Sequence, residues 1–465
     1  MSLPSIRSRR LPILLLLGLD TLVFVAVFNL SGWLRGIVGP ERWIIEPLLV
    51  PLLFTITTLY LIDGYRTRTE MMSADYTSQH CLACLMAMLA TLLVTFVAFP
   101  ANYPLQGSRS VIAITFLVIS GLTLTYRRSL HRWLHLDRGD RSVLFIGNSA
   151  ACKEFREVCA SNGMAEKIVC AVMEEQAPTK PIEHSDSLMR DYASVLTDIR
   201  SGKLRTEAIV LKESAFHMPL DLANQLTELY FRGVPTYTLE LFYESYWRKI
   251  PLYRINHIWL FQEGFEMARS PIFGRMKRLF DVIAATTGLI IASPVLLAAA
   301  LAIKLQDGSA VLFRQSRVGL HRQSFKIIKL RSMTDKPVLS GDNRYTQNDD
   351  PRITRIGGFL RKTRLDEVPQ LWNVLKGDMS LIGPRAEWDE LVKDYDETIP
   401  CYHFRHLVKP GITGWAQINY PYGANIDDTL RKLEYDLYYI RHFSFVMDAA
   451  IVLRTIHIML FGKGK

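Results

Sequence analysis

The sequence predicts a membrane protein of mixed α and α/β architecture, and three observations lead to this prediction. Of its 465 residues, 49% are apolar and the mean hydropathy is +0.11, which is high for a soluble chain. Four long apolar stretches precede a region of short β-rich segments. A fifth long apolar stretch then opens the C-terminal region. The same figures exclude disorder, collagen and a disulfide-stapled secreted scaffold.

The chain is too long for one ordinary domain, and we expect it to be divided into several parts. The predicted parts are a four-helix transmembrane domain at 1–136, a Rossmann-like α/β domain at 141–245, a linker at 246–271 and a C-terminal domain at 272–465. The net charge of +10 suits an anionic bilayer face or a phosphate-bearing substrate as well as it suits nucleic acid. Composition therefore does not identify the partner.

Four N-terminal stretches are long enough to cross a bilayer, which takes about 20 helical residues. They are residues 11–30, 43–62, 81–99 and 111–126. Basic residues are concentrated before the first stretch and after the second and fourth, which predicts that both ends of this domain face the cytoplasm. Asp20 lies within the first stretch, where we expect it to be protonated or paired inside the bundle. We interpret Cys81 and Cys84 as packing residues, because a thiolate metal site in hydrocarbon would be costly.

Short β-rich runs separated by helix-like stretches follow, which is the pattern of a small parallel α/β sheet. The turn after the first run is Gly147-Asn148-Ser149, with one glycine where a dinucleotide-binding fingerprint has three. We therefore expect a structural or regulatory module here rather than a cofactor site.

The fifth apolar stretch, at 282–303, carries no charge, yet basic residues flank it on both sides. A simple crossing would leave one basic flank outside the cell. Ser293 and Pro294 lie at its centre, where proline removes a helix hydrogen bond and a neighbouring hydroxyl or another helix can satisfy the freed carbonyl. We predict a re-entrant helix at about 279–304 that bends at Ser293-Pro294 and returns to the side it left. The alternative is a buried helix of a soluble core.

Candidate chemical residues follow this helix. Residues 325–333 alternate like a strand, which would place Lys329 and Arg331 on one face, as an oxyanion site or a solvated surface. Residues 334–350 are polar and aperiodic, which indicates either a mobile cover or a disordered loop. Further on, Gly383-Pro384-Arg385 places another arginine in a rigid turn.

The adjacent acids Asp366 and Glu367 lie near the start of a predicted helix that ends at Gly377. A capping box of Thr363 with Asp366 would account for one carboxylate. It does not account for two carboxylates beside Arg361, Lys362 and Arg364. We expect the helix dipole and these cations to hold both acids ionised, as a carboxylate nucleophile and a metal ligand require.

From about Phe273 onward the chain resembles the bacterial sugar transferases, the monotopic phosphoglycosyl transferases. The motifs that carry the resemblance, in family order, are Lys329-Leu-Arg-Ser-Met, Asp350-Pro-Arg-Ile-Thr, Leu365-Asp-Glu, Asn373-Val-Leu-Lys-Gly-Asp-Met-Ser, Gly383-Pro-Arg and Lys409-Pro-Gly-Ile-Thr-Gly. Four spans and a Rossmann-like module ahead of a monotopic catalytic domain resemble the large subfamily that starts exopolysaccharide or O-antigen synthesis. One departure is Ala386, where the family commonly has a second proline.

This resemblance implies transfer of a sugar-1-phosphate from a UDP-sugar to undecaprenyl phosphate, with release of UMP and use of Mg²⁺. By similarity, Asp366 is the nucleophile and Glu367 assists through metal or proton handling, both being expected metal ligands. Residues expected to hold phosphate oxygens are Lys329, Arg331, Arg361 and Arg385. The resemblance also implies a homodimer in the bacterial inner membrane, with the catalytic and Rossmann-like domains on the cytoplasmic side and no nucleic acid partner. One site in the catalytic domain would meet the soluble nucleotide and the lipid-borne phosphate at the membrane surface.

Two alternatives come from other classes of protein. A membrane-anchored nucleotide-sugar dehydratase would need the glycine fingerprint and a Tyr-x-x-x-Lys pair, and none of the 19 tyrosines has lysine four positions on. A non-catalytic scaffold of a polysaccharide assembly complex would not need Asp366, Glu367 and their cations. The sequence does not identify the sugar.

Overall fold

The computed structural model describes most of the chain. The described residues are 6–36, 43–66, 69–98, 109–135, 141–164, 166–172, 189–212, 219–252, 271–308, 310–334, 352–420 and 425–461. They form two compact units, Met1–Trp247 and Arg248–Lys465. The finer division into four parts stays a prediction. Of the predicted cover loop at 334–350, residues 335–350 lie outside the described part of the chain.

The N-terminal part of the first unit is helical. Its helices are α1 (Ile6–Leu34), α2 (Leu49–Leu61, preceded by the 3₁₀ turn Glu46–Leu48), α3 (Ala74–Leu93) and α4 (Arg109–His135). Three predicted spans correspond to helices long and apolar enough to cross a membrane. The second predicted span is too long. Its apolar helix covers only Glu46–Leu61, with Pro47 in the first turn, and is shorter than the three helices that match the other predicted spans.

The charged side chain of Asp20 is paired inside this bundle. Asp20 is buried and accepts hydrogen bonds from the hydroxyl groups of Tyr65, at 2.6 Å, and Tyr126, and from the guanidinium of Arg127. The prediction that Asp20 is paired within the bundle is therefore confirmed. Cys84 is buried as expected, but Cys81 is exposed, because α3 buries only one of its faces.

The rest of the first unit is an α/β layer structure. Its strands are β1 (Arg141–Gly147), β2 (Lys167–Val172), β3 (Met189–Asp191), β4 (Arg205–Leu211) and β5 (Thr236–Thr238). They pair in the order β3-β2-β1-β4-β5, and every pairing is parallel, as the sequence pattern predicted. Its helices are α5 (Ser149–Ser161), α6 (Tyr192–Arg200), α7 (Leu220–Phe231) and α8 (Leu239–Trp247). The side chain of Asn148 caps α5 by accepting a hydrogen bond from the backbone of Ala151 at 3.0 Å. The comparison of this sheet with a dinucleotide-binding fold stays a prediction.

The second unit combines one very long helix with small sheets and shorter helices. Its helices are α9 (Pro271–Asp307), α10 (Arg355–Lys362), α11 (Gln370–Lys376), α12 (Asp389–Thr398), α13 (Trp415–Asn419), α14 (Ile426–Arg441) and α15 (Phe445–Phe461). Strands β6 (Leu312–Val318) and β7 (Ser324–Leu330) form an antiparallel hairpin, and β8 (Ser380–Ile382) pairs with β9 (Gly411–Thr413) in parallel. The main core contains Tyr402, Trp415, Leu437 and Tyr439.

Helix α9 contains Pro294, and only 6% of its most apolar stretch is buried inside the protein. The Ser293 hydroxyl donates to the carbonyl of Ile290 at 2.8 Å, and this is the carbonyl that residue 294 would bond in an unbroken helix. The expectation that a neighbouring hydroxyl satisfies the freed carbonyl is confirmed. The bend and the return to one side of the membrane stay predictions.

Both halves of α9 pack on the rest of the second unit. Before the proline, Ala285 packs against Ile327, Val374 and Met379. After the proline, Ile303 packs against Leu330 and Leu360. The two halves therefore share one folded support.

Candidate active site

The two adjacent acids lie on a sharp turn between α10 and α11. Residues Leu365–Glu367 form a single 3₁₀ turn, and Arg364 before it has a left-handed backbone with φ of 56°. This reversal directs Asp366 and Glu367 inward, and Asp366 is buried. The capping-box interpretation is wrong, because Thr363 ends α10 and donates its hydroxyl to the carbonyl of Phe359 at 2.9 Å.

Glu367 is held by three cations. Its Oε1 accepts from Lys329 Nζ at 3.1 Å and from Arg385 Nη2 at 2.9 Å, while its Oε2 lies 3.5 Å from Arg364 Nη1. Although burial alone would raise the pKa of this carboxyl group, Arg385 and Lys329 hold it well below the ordinary value. Glu367 is therefore ionised and lies at the centre of a cluster of three cationic side chains.

Asp366 differs from its neighbour. No described residue forms a hydrogen bond with its carboxylate. Burial raises the pKa of Asp366, and the charge of Glu367 adds to the effect, while Lys329, Arg361 and Arg385 act in the opposite direction. The shift is opposite to the one expected from a helix dipole and flanking cations, because burial outweighs them.

The other predicted phosphate-binding residues divide into two groups. Lys329 and Arg385 meet at Glu367, and Arg361 is close enough to Asp366 to lower the pKa of that carboxyl. Arg361 Nη1 is buried and without a hydrogen-bond partner among the described residues. Arg331 follows the end of β7, and its Nε donates to the carbonyl of Met333 at 3.2 Å.

Two supporting residues were not assigned a role from the sequence. The side chain of Asn373 joins α11 to β7 through hydrogen bonds with Ile328 and Lys326. The buried Arg405 donates from Nη2 to the Arg385 carbonyl at 2.8 Å and to Asp436 Oδ2 at 3.0 Å. Asn373 stands in a family motif and could have been found there, whereas Arg405 carries no such signal.

Close backbone approach fixes the turn that carries Arg385. A Cβ atom at Gly383 would lie 2.3 Å from the carbonyl oxygen of Lys409, and one at Gly411 would lie 2.1 Å from the Gly383 nitrogen. The two glycine motifs are therefore packed backbone against backbone. The carbonyl of Ala386, where the family commonly has proline, accepts from Arg317 Nη1 at 3.1 Å, which adds a hydrogen bond to this turn.

The donor set for a metal ion is small. Among the described residues, no three or more His, Cys, Asp or Glu side chains form a metal-binding group. Mg²⁺ is commonly held by one or two carboxylates together with phosphate oxygens and water. The carboxylate of Asp366, with which no described residue forms a hydrogen bond, fits that pattern, whereas the oxygens of Glu367 are engaged by cations.

A folded unit built on a long apolar helix, with a buried carboxylate that has no hydrogen-bond partner among the described residues and lies near several cations, has the features of a membrane-associated enzyme that handles phosphate. The family model for bacterial sugar transferases matches residues 273–462. The exopolysaccharide production protein PSS of Rhizobium leguminosarum bv. phaseoli is 42% identical over 196 residues, which are 41% of this chain and 98% of that protein. The chain belongs to the bacterial sugar transferase family, as its motifs predicted.

Two further relatives extend the comparison. The UDP-N-acetylgalactosamine-undecaprenyl-phosphate N-acetylgalactosaminephosphotransferase of Aeromonas hydrophila is 40% identical over 263 residues, 57% of this chain and 61% of that protein. The UDP-glucose:undecaprenyl-phosphate glucose-1-phosphate transferase of Escherichia coli (strain K12) is 46% identical over 187 residues, 39% of each chain. The similarity to these two relatives therefore spans less than two thirds of their length.

Proposed function

We propose that this protein transfers a sugar-1-phosphate from a UDP-sugar to undecaprenyl phosphate, giving undecaprenyl-diphosphate-sugar and UMP. The proposal places the reaction at the first membrane step of exopolysaccharide, O-antigen or capsule synthesis. The observation that carries it is the buried Asp366 carboxylate, which has no hydrogen-bond partner among the described residues, beside the cation-bound Glu367. The relatives from Aeromonas hydrophila and Escherichia coli, whose names combine a UDP-sugar with undecaprenyl phosphate, support it.

The proposed reaction has two steps at one phosphorus atom. A carboxylate oxygen of Asp366 attacks the phosphorus next to the sugar, the bond from that phosphorus to the oxygen shared with UMP breaks, and UMP leaves with the electron pair. The product is an aspartyl-phosphosugar. An oxygen of undecaprenyl phosphate then attacks the same phosphorus and releases the Asp366 carboxylate.

The cations around Asp366 offset the repulsion between an anionic nucleophile and a diphosphate. Lys329 and Arg385 keep further N–H donors beyond those they give to Glu367, and the buried Nη1 of Arg361 has no described partner. These donors suit phosphate oxygens. Asp366 together with the substrate phosphates would hold Mg²⁺, whose chemistry when bound is to supply positive charge to the leaving phosphate.

The proposal places this site on the cytoplasmic face of the inner membrane, with α9 as a re-entrant helix. Ala285 and Ile303 lie on opposite sides of Pro294 and pack on the same unit, which supports a helix whose two ends stay on one side. The test is an accessibility tag at the C-terminus in intact cells. We expect labelling only after the cells are opened, and labelling of intact cells would contradict this topology.

The nucleophile is tested by covalent labelling. We expect a UDP-sugar radiolabelled in the sugar to label the wild-type protein in the absence of undecaprenyl phosphate, and Asp366→Asn to abolish the label. Asp389→Asn, at the start of α12, removes the same charge outside the site and should retain it. Undiminished labelling of Asp366→Asn would exclude Asp366 as the nucleophile.

A screen of UMP release with UDP-glucose, UDP-galactose and the N-acetylated UDP-sugars would identify the sugar. The same screen would distinguish an enzyme from a non-catalytic scaffold, which would release no UMP.

A further inference from the structure

One oxygen atom of Glu367 joins two of the cations at the site. Because Lys329 Nζ and Arg385 Nη2 both donate to Oε1, the two nitrogens lie no more than about 6 Å apart. The other oxygen lies 3.5 Å from Arg364 Nη1, and the Glu367 side chain is 12% exposed. Both oxygens of this carboxylate are therefore engaged before any ligand binds.

This occupancy is hard to reconcile with a metal ligand. A divalent cation on Glu367 would have to displace at least one of these charge-assisted hydrogen bonds and would then lie among three positive groups. The adjacent carboxylate of Asp366 does not meet the first obstacle, since no described residue forms a hydrogen bond with it, although Lys329, Arg361 and Arg385 are near it as well. The two acids therefore differ in what they can hold.

The arrangement suits a template for a diphosphate. Without an anion between them, Lys329 and Arg385 would repel each other, and Lys329 is also near Arg317. The shared oxygen holds them close while leaving two donors on the ammonium group and four on the guanidinium group. The carboxylate also cancels one unit of positive charge where the diphosphate of the substrate would bind.

We propose that Glu367 is a positioning residue and not a ligand of the metal ion. It holds Lys329 and Arg385 at a fixed separation for the substrate diphosphate and partly neutralises their charge. This inference rests on the proposed function, because it takes a nucleoside diphosphate as the ligand of these cations. It separates the roles of two neighbouring acids that the motif alone presents as a pair.

The test is metal-free binding of UDP to the full-length protein, measured by titration calorimetry in EDTA. Glu367→Gln keeps an oxygen acceptor but removes the charge. We expect it to bind UDP at least threefold more tightly than the wild type at low salt, and to lower kcat for sugar transfer at least tenfold, with an unchanged Mg²⁺ concentration for half-maximal activity. Asp396→Asn removes one negative charge from the ion pair with Arg322 and should leave UDP affinity and turnover unchanged.

A second variant distinguishes the loss of charge from misfolding. Glu367→Asp keeps the charge but is one methylene too short to reach both cations, so we expect lowered kcat with wild-type metal-free affinity for UDP. Unchanged or weaker UDP binding by Glu367→Gln, or a tenfold rise in the Mg²⁺ concentration for half-maximal activity, would overturn the proposal. Failure of the wild type itself to bind UDP would instead count against the proposed function.

Discussion

The side-chain carbonyl of Asn373 accepts a hydrogen bond from the backbone N–H of Ile328 at 3.0 Å. Its amide nitrogen donates to the carbonyl of Lys326 at 2.8 Å. Ile328 directly precedes Lys329, and Asn373 lies in the helix that follows Glu367. One buried side chain thus sets the position of the lysine relative to the acid with which it pairs.

Asn373→Ala is expected to loosen this connection. Loss of the two hydrogen bonds leaves a backbone donor and a backbone acceptor unsatisfied, which should lower the free energy of unfolding by about 1–3 kcal/mol. UMP release should fall at least tenfold, because Lys329 is no longer held against Glu367. Asn419→Ala is the matched control, since Asn419 donates to the Trp415 carbonyl at 2.8 Å, within its own helix, and lies outside the site. Wild-type turnover in Asn373→Ala would show that this connection does not position Lys329.

Two adjacent glycines at the start of α10 are expected to respond differently to alanine. A Cβ atom at Gly357 would lie 2.0 Å from the backbone oxygen of Ser332, whereas at Gly358 the nearest atom would be 3.9 Å away, on Ile353. Gly357→Ala should therefore destabilise the protein by about 1–3 kcal/mol, because the helix must move away from Ser332. Gly358→Ala should be neutral or stabilising by up to about 1 kcal/mol, because alanine favours helix.

Thermal unfolding of the two variants in detergent is the measurement for this pair. The helix that would move also carries Arg361, so Gly357→Ala should lower UMP release as well. Equal melting temperatures for the two variants would contradict the close approach at Gly357.

The hydroxyl of Ser293 and the ring of Pro294 are expected to be coupled. In Ser293→Ala the carbonyl of Ile290 loses the hydroxyl that satisfies it, at a cost of about 1–2 kcal/mol. Pro294→Ala restores a backbone N–H for the same carbonyl, so adding Ser293→Ala to it should cost much less. A double-mutant cycle of thermal unfolding measures the coupling. Additive effects of the two substitutions would show that the hydroxyl does not replace the missing hydrogen bond.

The sequence predicted the parts of the site that are encoded locally. Alternation placed Lys329 on a strand, and charge density selected Asp366 and Glu367. What it missed depends on contacts between distant segments. The pairing of Lys329 and Arg385 at Glu367 joins residues that are 38 and 18 positions from it in the chain, and the support of Arg385 by Arg405 has no local pattern. The direction of the Asp366 pKa shift depends on burial, which only the folded chain determines.

His406 is expected to make the protein sensitive to acid. It is buried, its Nε2 has no hydrogen-bond partner among the described residues, and burial, followed by the charges of Arg405, Arg322 and His403, lowers its pKa to about 3. A histidine in an unfolded chain titrates near 6.5. The stability associated with neutral His406 is therefore fully present above pH 6.5 and is lost as the pH falls towards 3, because only the unfolded chain takes up the proton.

The check is the thermal midpoint of the full-length protein between pH 7.5 and pH 4.5. Over this range the wild type should lose stability more steeply than His406→Gln, by about 1 kcal/mol for each pH unit below 6.5. His403→Gln is the matched control, since the neighbouring His403 is exposed and has the smallest of the effects that lower the His406 pKa, so its profile should stay close to that of the wild type. Parallel profiles for the wild type and His406→Gln would show that a buried neutral histidine does not determine the acid sensitivity of this unit.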